Sequence, residues 1–79
     1  MAFSIHINRL FEDNEFVYYE YGSSGMKFGS LRIAKIDGDV FLIQNAESDQ
    51  SGSQAKRAAW KLMQYWKKKE YPEKAYWAS

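Results

Sequence analysis

Between Ser30 and Gln44 the chain reads SLRIAKI and then VFLIQ, two apolar β-branched runs joined by Asp37-Gly38-Asp39. Asp-Gly between such runs is among the strongest short-range hairpin signals, because both residues tolerate positive φ. With a two-residue loop at Asp37-Gly38 or Gly38-Asp39, pairing puts Leu31, Ile33, Val40 and Leu42 on one face. Ala34, Ile36, Phe41 and Ile43 then share the other. Both faces are more apolar than a sheet with one solvated side requires. The rest of the fold has to be built around this hairpin, and one helix covers only one of its faces.

Further strands follow from the same period of two. Phe3, Ile5 and Ile7 alternate with Ser4, His6 and Asn8, which predicts a first strand over about 3–8. The acidic stretch Glu12-Asp13-Asn14-Glu15 reads as a connection, and FVYYEY (16–21) has the β-branched and aromatic content of a second strand. GSSGMKFG (22–29), with three glycines and two serines, reads as a flexible loop or an open hairpin end. The hairpin then supplies strands over about 30–36 and 40–44.

One helix is predicted, over about 53–70. Ser51 and Gln54 have the spacing of a capping box, with Glu47 and Asp49 near the positive end of the helix dipole. Ala55, Ala58, Ala59, Leu62 and Trp66 fall in one stripe, with Met63 on its edge and Arg57, Lys61, Gln64 and Lys68 opposite. Pro72 stops the helix at about Tyr71, leaving 71–79 as a tail that folds back or frays.

Seventy-nine residues make one domain with a thin core. The chain has no cysteine, hence no disulfide framework and no thiolate chemistry, and a reducing, cytoplasmic setting is expected. No segment approaches the roughly 20 apolar residues of a membrane span, so no membrane partner is expected. Net charge is only +1, but residues 1–50 hold 4 Lys/Arg against 8 Asp/Glu, whereas residues 51–79 hold 7 against 2. Such asymmetry steers a charged partner or draws the two halves of the molecule together.

Chemistry-bearing motifs are sparse. His6, the single histidine, sits on the polar side of the predicted first strand with no recognisable nucleophile motif beside it. Asp37-Gly38-Asp39 lacks the spaced ligands and final glutamate of a calcium loop. Gly22, Gly25 and Gly29 match no phosphate-binding loop. No catalytic residue, cofactor or metal is therefore expected.

Binding is the better expectation, because 14 of the 79 residues are Phe, Trp or Tyr, more than a thin core can bury, and Trp, Tyr and Arg are common anchors at interfaces. Arg57, Trp60, Lys61, Gln64, Lys67 and Lys68 form one candidate contact surface on the helix. Ile36, Phe41 and Ile43, with the tail residues Tyr76 and Trp77, form a second, which is also where a homodimer would form.

From Phe16 to Met63 the β-β-β-α order resembles the later part of a double-stranded RNA-binding domain. Ala55-Lys56-Arg57-Ala58-Ala59-Trp60-Lys61-Leu62 is similar to that family's A-K-x-A-A-x-K-L helix. The resemblance implies duplex RNA or DNA binding through the basic helix. The chain departs from the family at Gly52, Ser53 and Gln54, where a lysine pair is usual, and at Gly22-Ser23-Ser24-Gly25-Met26, where the family's loop carries a histidine. A strand also replaces the family's first helix. In size and layout the chain looks like the small phage-encoded inhibitors of host defence, the anti-CRISPR proteins among them, which implies occlusion of a protein or nucleoprotein surface. The expectation is a single α+β domain over 1–79, a three- or four-stranded, mostly antiparallel meander on one C-terminal helix. It docks on a protein or nucleoprotein partner, with direct binding of double-stranded nucleic acid as the alternative.

Overall fold

The computed structural model describes residues 4–78. Its elements are β1 (Ser4–Glu12), β2 (Phe16–Gly22), β3 (Gly29–Ala34), β4 (Val40–Gln44), α1 (Ser53–Lys67) and β5 (Lys74–Ala78). All five strands form one antiparallel sheet in the order β4-β3-β2-β1-β5, with the helix across one face. The fold is thus α+β, as expected, but with five strands, and the helix precedes the last of them. Phe3, assigned to the first strand by its alternation, lies outside the described residues.

Alternation decides which side chains meet the helix. Ile5 and Ile7 of β1, Val17, Tyr19 and Tyr21 of β2, and Leu31 and Ile33 of β3 point to the covered face and are buried with Ala55, Ala58 and Leu62 of α1. Val40, Trp66, Tyr71, Ala75 and Trp77 close the margins of this core. The small residues of the helix let its backbone approach the sheet, and the two buried tyrosines fill the space between. Their hydroxyls find partners, as buried polar groups must: Tyr19 donates to the Pro72 carbonyl (3.0 Å) and Tyr21 to the Asp49 carboxylate (3.0 Å).

Three local expectations are corrected. The hairpin faces are right for Leu31, Ile33, Val40 and Leu42, but its loop is longer than two residues. Ile33 pairs with Val40, and the chain turns through 35–39 with the Gly38 amide on the Ala34 carbonyl, Ala34 on the Asp39 carbonyl, and the Asp39 amide on the Asp37 carboxylate. Ile36 accordingly leaves the sheet and sits in the loop, 91% exposed. At the helix start, Gly52 occupies the cap position at φ 82, and the capping box of Ser51 and Gln54 does not form. Asp49, buried, takes its place by accepting from the amides of Gln54 (3.0 Å) and Ala55 (2.9 Å). Gln54 instead exchanges hydrogen bonds with Ser48.

The helix ends before Pro72 can act. Lys69 adopts φ 58, and its amide and that of Glu70 return to the carbonyls of Trp66 and Tyr65. This is a Schellman close with lysine at the position glycine usually fills. The chain then runs back along β1, held by the Arg9 guanidinium on the Tyr71 carbonyl (2.7 Å) and the Arg9 amide on the Glu73 carbonyl (2.8 Å). Over residues 71–78 the tail thus folds back rather than fraying, and it leaves the second sheet face uncovered. It adds β5 at the edge of the sheet, pairing Ile5 with Trp77 and His6 with Tyr76.

Candidate binding surfaces

The face of the sheet opposite α1 has no layer over it among the described residues. Phe16, Tyr18 and Glu20 of β2 point there with Ser30 and Arg32 of β3, His6 and Asn8 of β1, Phe41 of β4 and Tyr76 of β5. A bulge between Arg9 and Phe11 shifts the end of β1 by one residue and lays the Phe11 ring on Tyr18, stacked at 4.3 Å between centroids. Phe16 meets Tyr18 and Phe41 edge-on, each at 6.3 Å. His6 and Tyr76 make a third edge-to-face pair at 5.1 Å. Phe11, Phe41 and Tyr76 are about half exposed, as is Ile43 at a second bulge beside Leu42.

Arg32 sits in the middle of these rings. Its guanidinium carbon lies 4.2 Å from the centroid of Phe16 and 5.5 Å from that of Phe41, within cation–π range of both. Its Nε is buried without a hydrogen-bond partner among the described residues. The neighbouring acids are engaged elsewhere. Glu20 accepts from Asn8 (3.0 Å), and Glu12 pairs with Lys35 (2.6 Å), whose hydrogen bond and charge hold that carboxyl below its ordinary range. Asp13 turns back to the amides of Phe16 and Glu15, which lower its pKa too.

The helix surface divides. Ser53, Lys56, Arg57 and Trp60 line a groove of about 610 Å³ together with Trp77, whose ring lies 5.2 Å from the Arg57 guanidinium. Trp60 is more than half exposed. One turn on, the Lys61 ammonium lies 5.8 Å from the Tyr65 ring, Gln64 is partly buried, and Lys67 and Lys68 are exposed. Lys67 shares a separate hollow with Lys35, Ile36, Trp66, Lys69 and Tyr71.

Arg57 and Trp60 of the first candidate surface are thus brought together, and Trp77 joins them. Lys67 is on a different hollow. In the second set, Phe41 and Tyr76 share the open sheet face. Ile43 borders it, Ile36 lies apart in its loop, and Trp77 is on the helix side because it alternates with Tyr76 along β5. Phe11, Phe16, Tyr18 and Arg32 were not among the expected contact residues. The signal for three of them was present in the period of FVYYEY and SLRIAKI, which puts Phe16, Tyr18 and Arg32 on the Phe41 face.

Among the described residues no group of three or more His, Asp or Glu side chains is placed to hold a metal ion, and no helix is long and apolar enough to cross a membrane. The β2-β3-β4-α1 order of the double-stranded RNA-binding resemblance is present, but between two further strands and without the first helix. Comparison with protein-family models, with curated proteins and with solved structures finds no match to the chain.

Proposed function

We propose that the chain is a non-catalytic binding protein that docks on a protein or nucleoprotein partner through the open face of its sheet. One observation carries the reading: the face opposite the helix presents Phe11 and Phe41, with Ile43 at its border, each about half exposed, around the Phe16–Arg32–Phe41 cluster, while Tyr76 stands apart beyond Asn8 and Glu20. A lone exposed apolar side chain is ordinary, whereas a contiguous group on one flat surface marks an interaction site. Aromatic residues and arginine at its centre are the residue types that dominate binding energy. The action that fits a small domain of this kind is occlusion of a working surface, as in the phage-encoded anti-CRISPR inhibitors, rather than turnover of a substrate.

A second reading, duplex RNA or DNA binding, is favoured by Lys56, Arg57 and Lys61 beside Trp60 on the outer side of α1. Capture from a lysate of the source cells separates the two when the wild-type chain is compared with two paired variants. Phe41→Ser with Ile43→Ser should lose the captured partner, and Lys61→Glu with Lys68→Glu should retain it. The opposite pattern, or duplex binding whose log K falls with log salt at about −0.9 per phosphate contact, overturns the preferred reading.

A further inference from the structure

We infer that on the docking face proposed above, and dependent on that reading, Arg32 receives a carboxylate: the partner is a protein that sets an Asp or Glu side chain among apolar contacts. Arg32 lies mid-strand on β3, opposite Tyr18 on one side and Phe41 on the other, so it stands within the aromatic row that runs from Phe11 to Phe41. Its planar fork offers five N–H donors. None of them makes a hydrogen bond or ion pair with another described residue, and Nε is buried. Nε is shielded from an outside acceptor, and the terminal nitrogens, which are not buried, are the donors that an arriving carboxylate meets. The rings of Phe16 and Phe41 flank the guanidinium, at 4.2 and 5.5 Å from its carbon, and thin the water around it. A carboxylate reaching it there makes charge-assisted, bidentate bonds of more than usual strength.

The surrounding charge selects the kind of anion. Glu12, Asp13 and Glu15 crowd the β1–β2 turn and Asp37 and Asp39 the β3–β4 loop, so the sheet half carries 4 cations against 8 anions in residues 1–50. A nucleic acid brings one phosphate per nucleotide and needs a run of cations to track it. Here one buried-edge arginine stands in an acidic frame. A single carboxylate with apolar neighbours and a basic rim complements that pattern, and a polyanion does not. A second copy of the chain brings Glu20 as the carboxylate of this face, already bonded to Asn8.

The test is selection of a randomised twelve-residue peptide library on the full chain, followed by affinity measurement on variants that melt as wild type does. Selected peptides should carry Asp or Glu within two positions of an aromatic or aliphatic residue. Exchanging that Glu for Gln in the peptide should weaken binding to the wild-type chain at least tenfold. Arg32→Gln should weaken it equally and abolish the effect of the exchange, and Arg32→Lys should not restore it, since lysine cannot reproduce the stacked fork. Peptides without an acid, or equal binding to Arg32→Gln, overturn the carboxylate assignment. If such peptides still lose binding to Phe41→Ser, the docking face stands and the assignment alone falls; if they ignore Phe41→Ser as well, both fall. An empty selection also counts against it. So does tighter Arg32-dependent binding of a single-stranded oligothymidylate, which would make the ligand nucleic acid. Arg32-dependent self-association would make it a second copy.

Discussion

The Tyr21 hydroxyl and the Asp49 carboxylate meet at 3.0 Å inside the protein, and through this contact the sheet is tied to the start of the helix. The same hydroxyl accepts from the Ala46 amide (3.1 Å), while the carboxylate accepts from the amides of Gln54 and Ala55. Removing either partner leaves buried groups unsatisfied. Tyr21→Phe is expected to destabilise by about 1–3 kcal/mol, and Asp49→Ala by about 3 kcal/mol because two helix amides also lose their acceptor. The double change should cost less than the sum, since the two residues share one bond. Thermal melting measures all three, at about 4–8 °C per kcal/mol for a domain of this size.

Alkaline pH should loosen the fold before it damages the chain. Burial raises the Tyr19 hydroxyl to about 12, partly offset by Arg9, and burial likewise raises Tyr21. The unfolded chain ionises its tyrosines near 10, so unfolding releases protons above that pH. Stability is complete below about pH 10 and falls as the pH rises toward about 12. Melting curves across that interval should show the decline, and Tyr19→Phe should make it shallower.

The β3–β4 loop is locked onto the helix end by one glycine. Gly38 has φ 78, and a Cβ there would stand 2.7 Å from the Trp66 ring, whose Nε1 donates to the Lys35 carbonyl at 2.8 Å. Gly38→Ala combines a left-handed backbone with a ring collision and should cost about 1–3 kcal/mol. Trp66→Phe, which removes only the indole bond and some contact, should cost about 0.5–1.5 kcal/mol. Chemical denaturation of the two variants distinguishes these sizes.

Neighbouring alanines of the helix should behave differently. Ala58 is wholly buried against the sheet, so Ala58→Leu overpacks the core and should destabilise by about 1–3 kcal/mol. Ala59, expected from its helical stripe to be equally confined, instead borders a groove of about 260 Å³ with Leu31, Val40 and Leu42. Ala59→Leu should fill that groove and leave the melting temperature unchanged or higher.

What was legible in the chain was what short-range periodicity controls. Alternation placed Leu31, Ile33, Val40 and Leu42 on one face, and the 3.6-residue period placed Ala55, Ala58 and Leu62 in one packing stripe, but which face of the hairpin that stripe covers emerged only from the fold. The fifth strand was hidden because its pairing with β1 joins residues some 70 apart and depends on Arg9 and Tyr19 reaching the carbonyls of Tyr71 and Pro72. The helix stop was misread because Lys69, not Pro72, takes the left-handed turn. Asp49 was placed near the helix dipole, but its capping role needs Tyr21 from a distant strand to hold it. Of the candidate contact residues, aromatic excess singled out Phe41 and Tyr76, both of which lie on the open sheet face. The face that Arg32 occupies was present in the period of SLRIAKI, but its setting was not, since a charged residue in a strand reads as solvated until Phe16 and Phe41 are seen to flank it.

The most direct test of the open face as the working surface is backbone amide mapping of the isotopically labelled chain, free and bound to its captured partner. The docking account predicts that the largest shifts and slowed hydrogen exchange fall on β2, β3 and β4 around Tyr18, Arg32 and Phe41, with the amides of α1 unmoved. Perturbation centred on Arg57, Lys61 and Lys68, with the sheet unchanged, would contradict it and assign the contact to the basic helix.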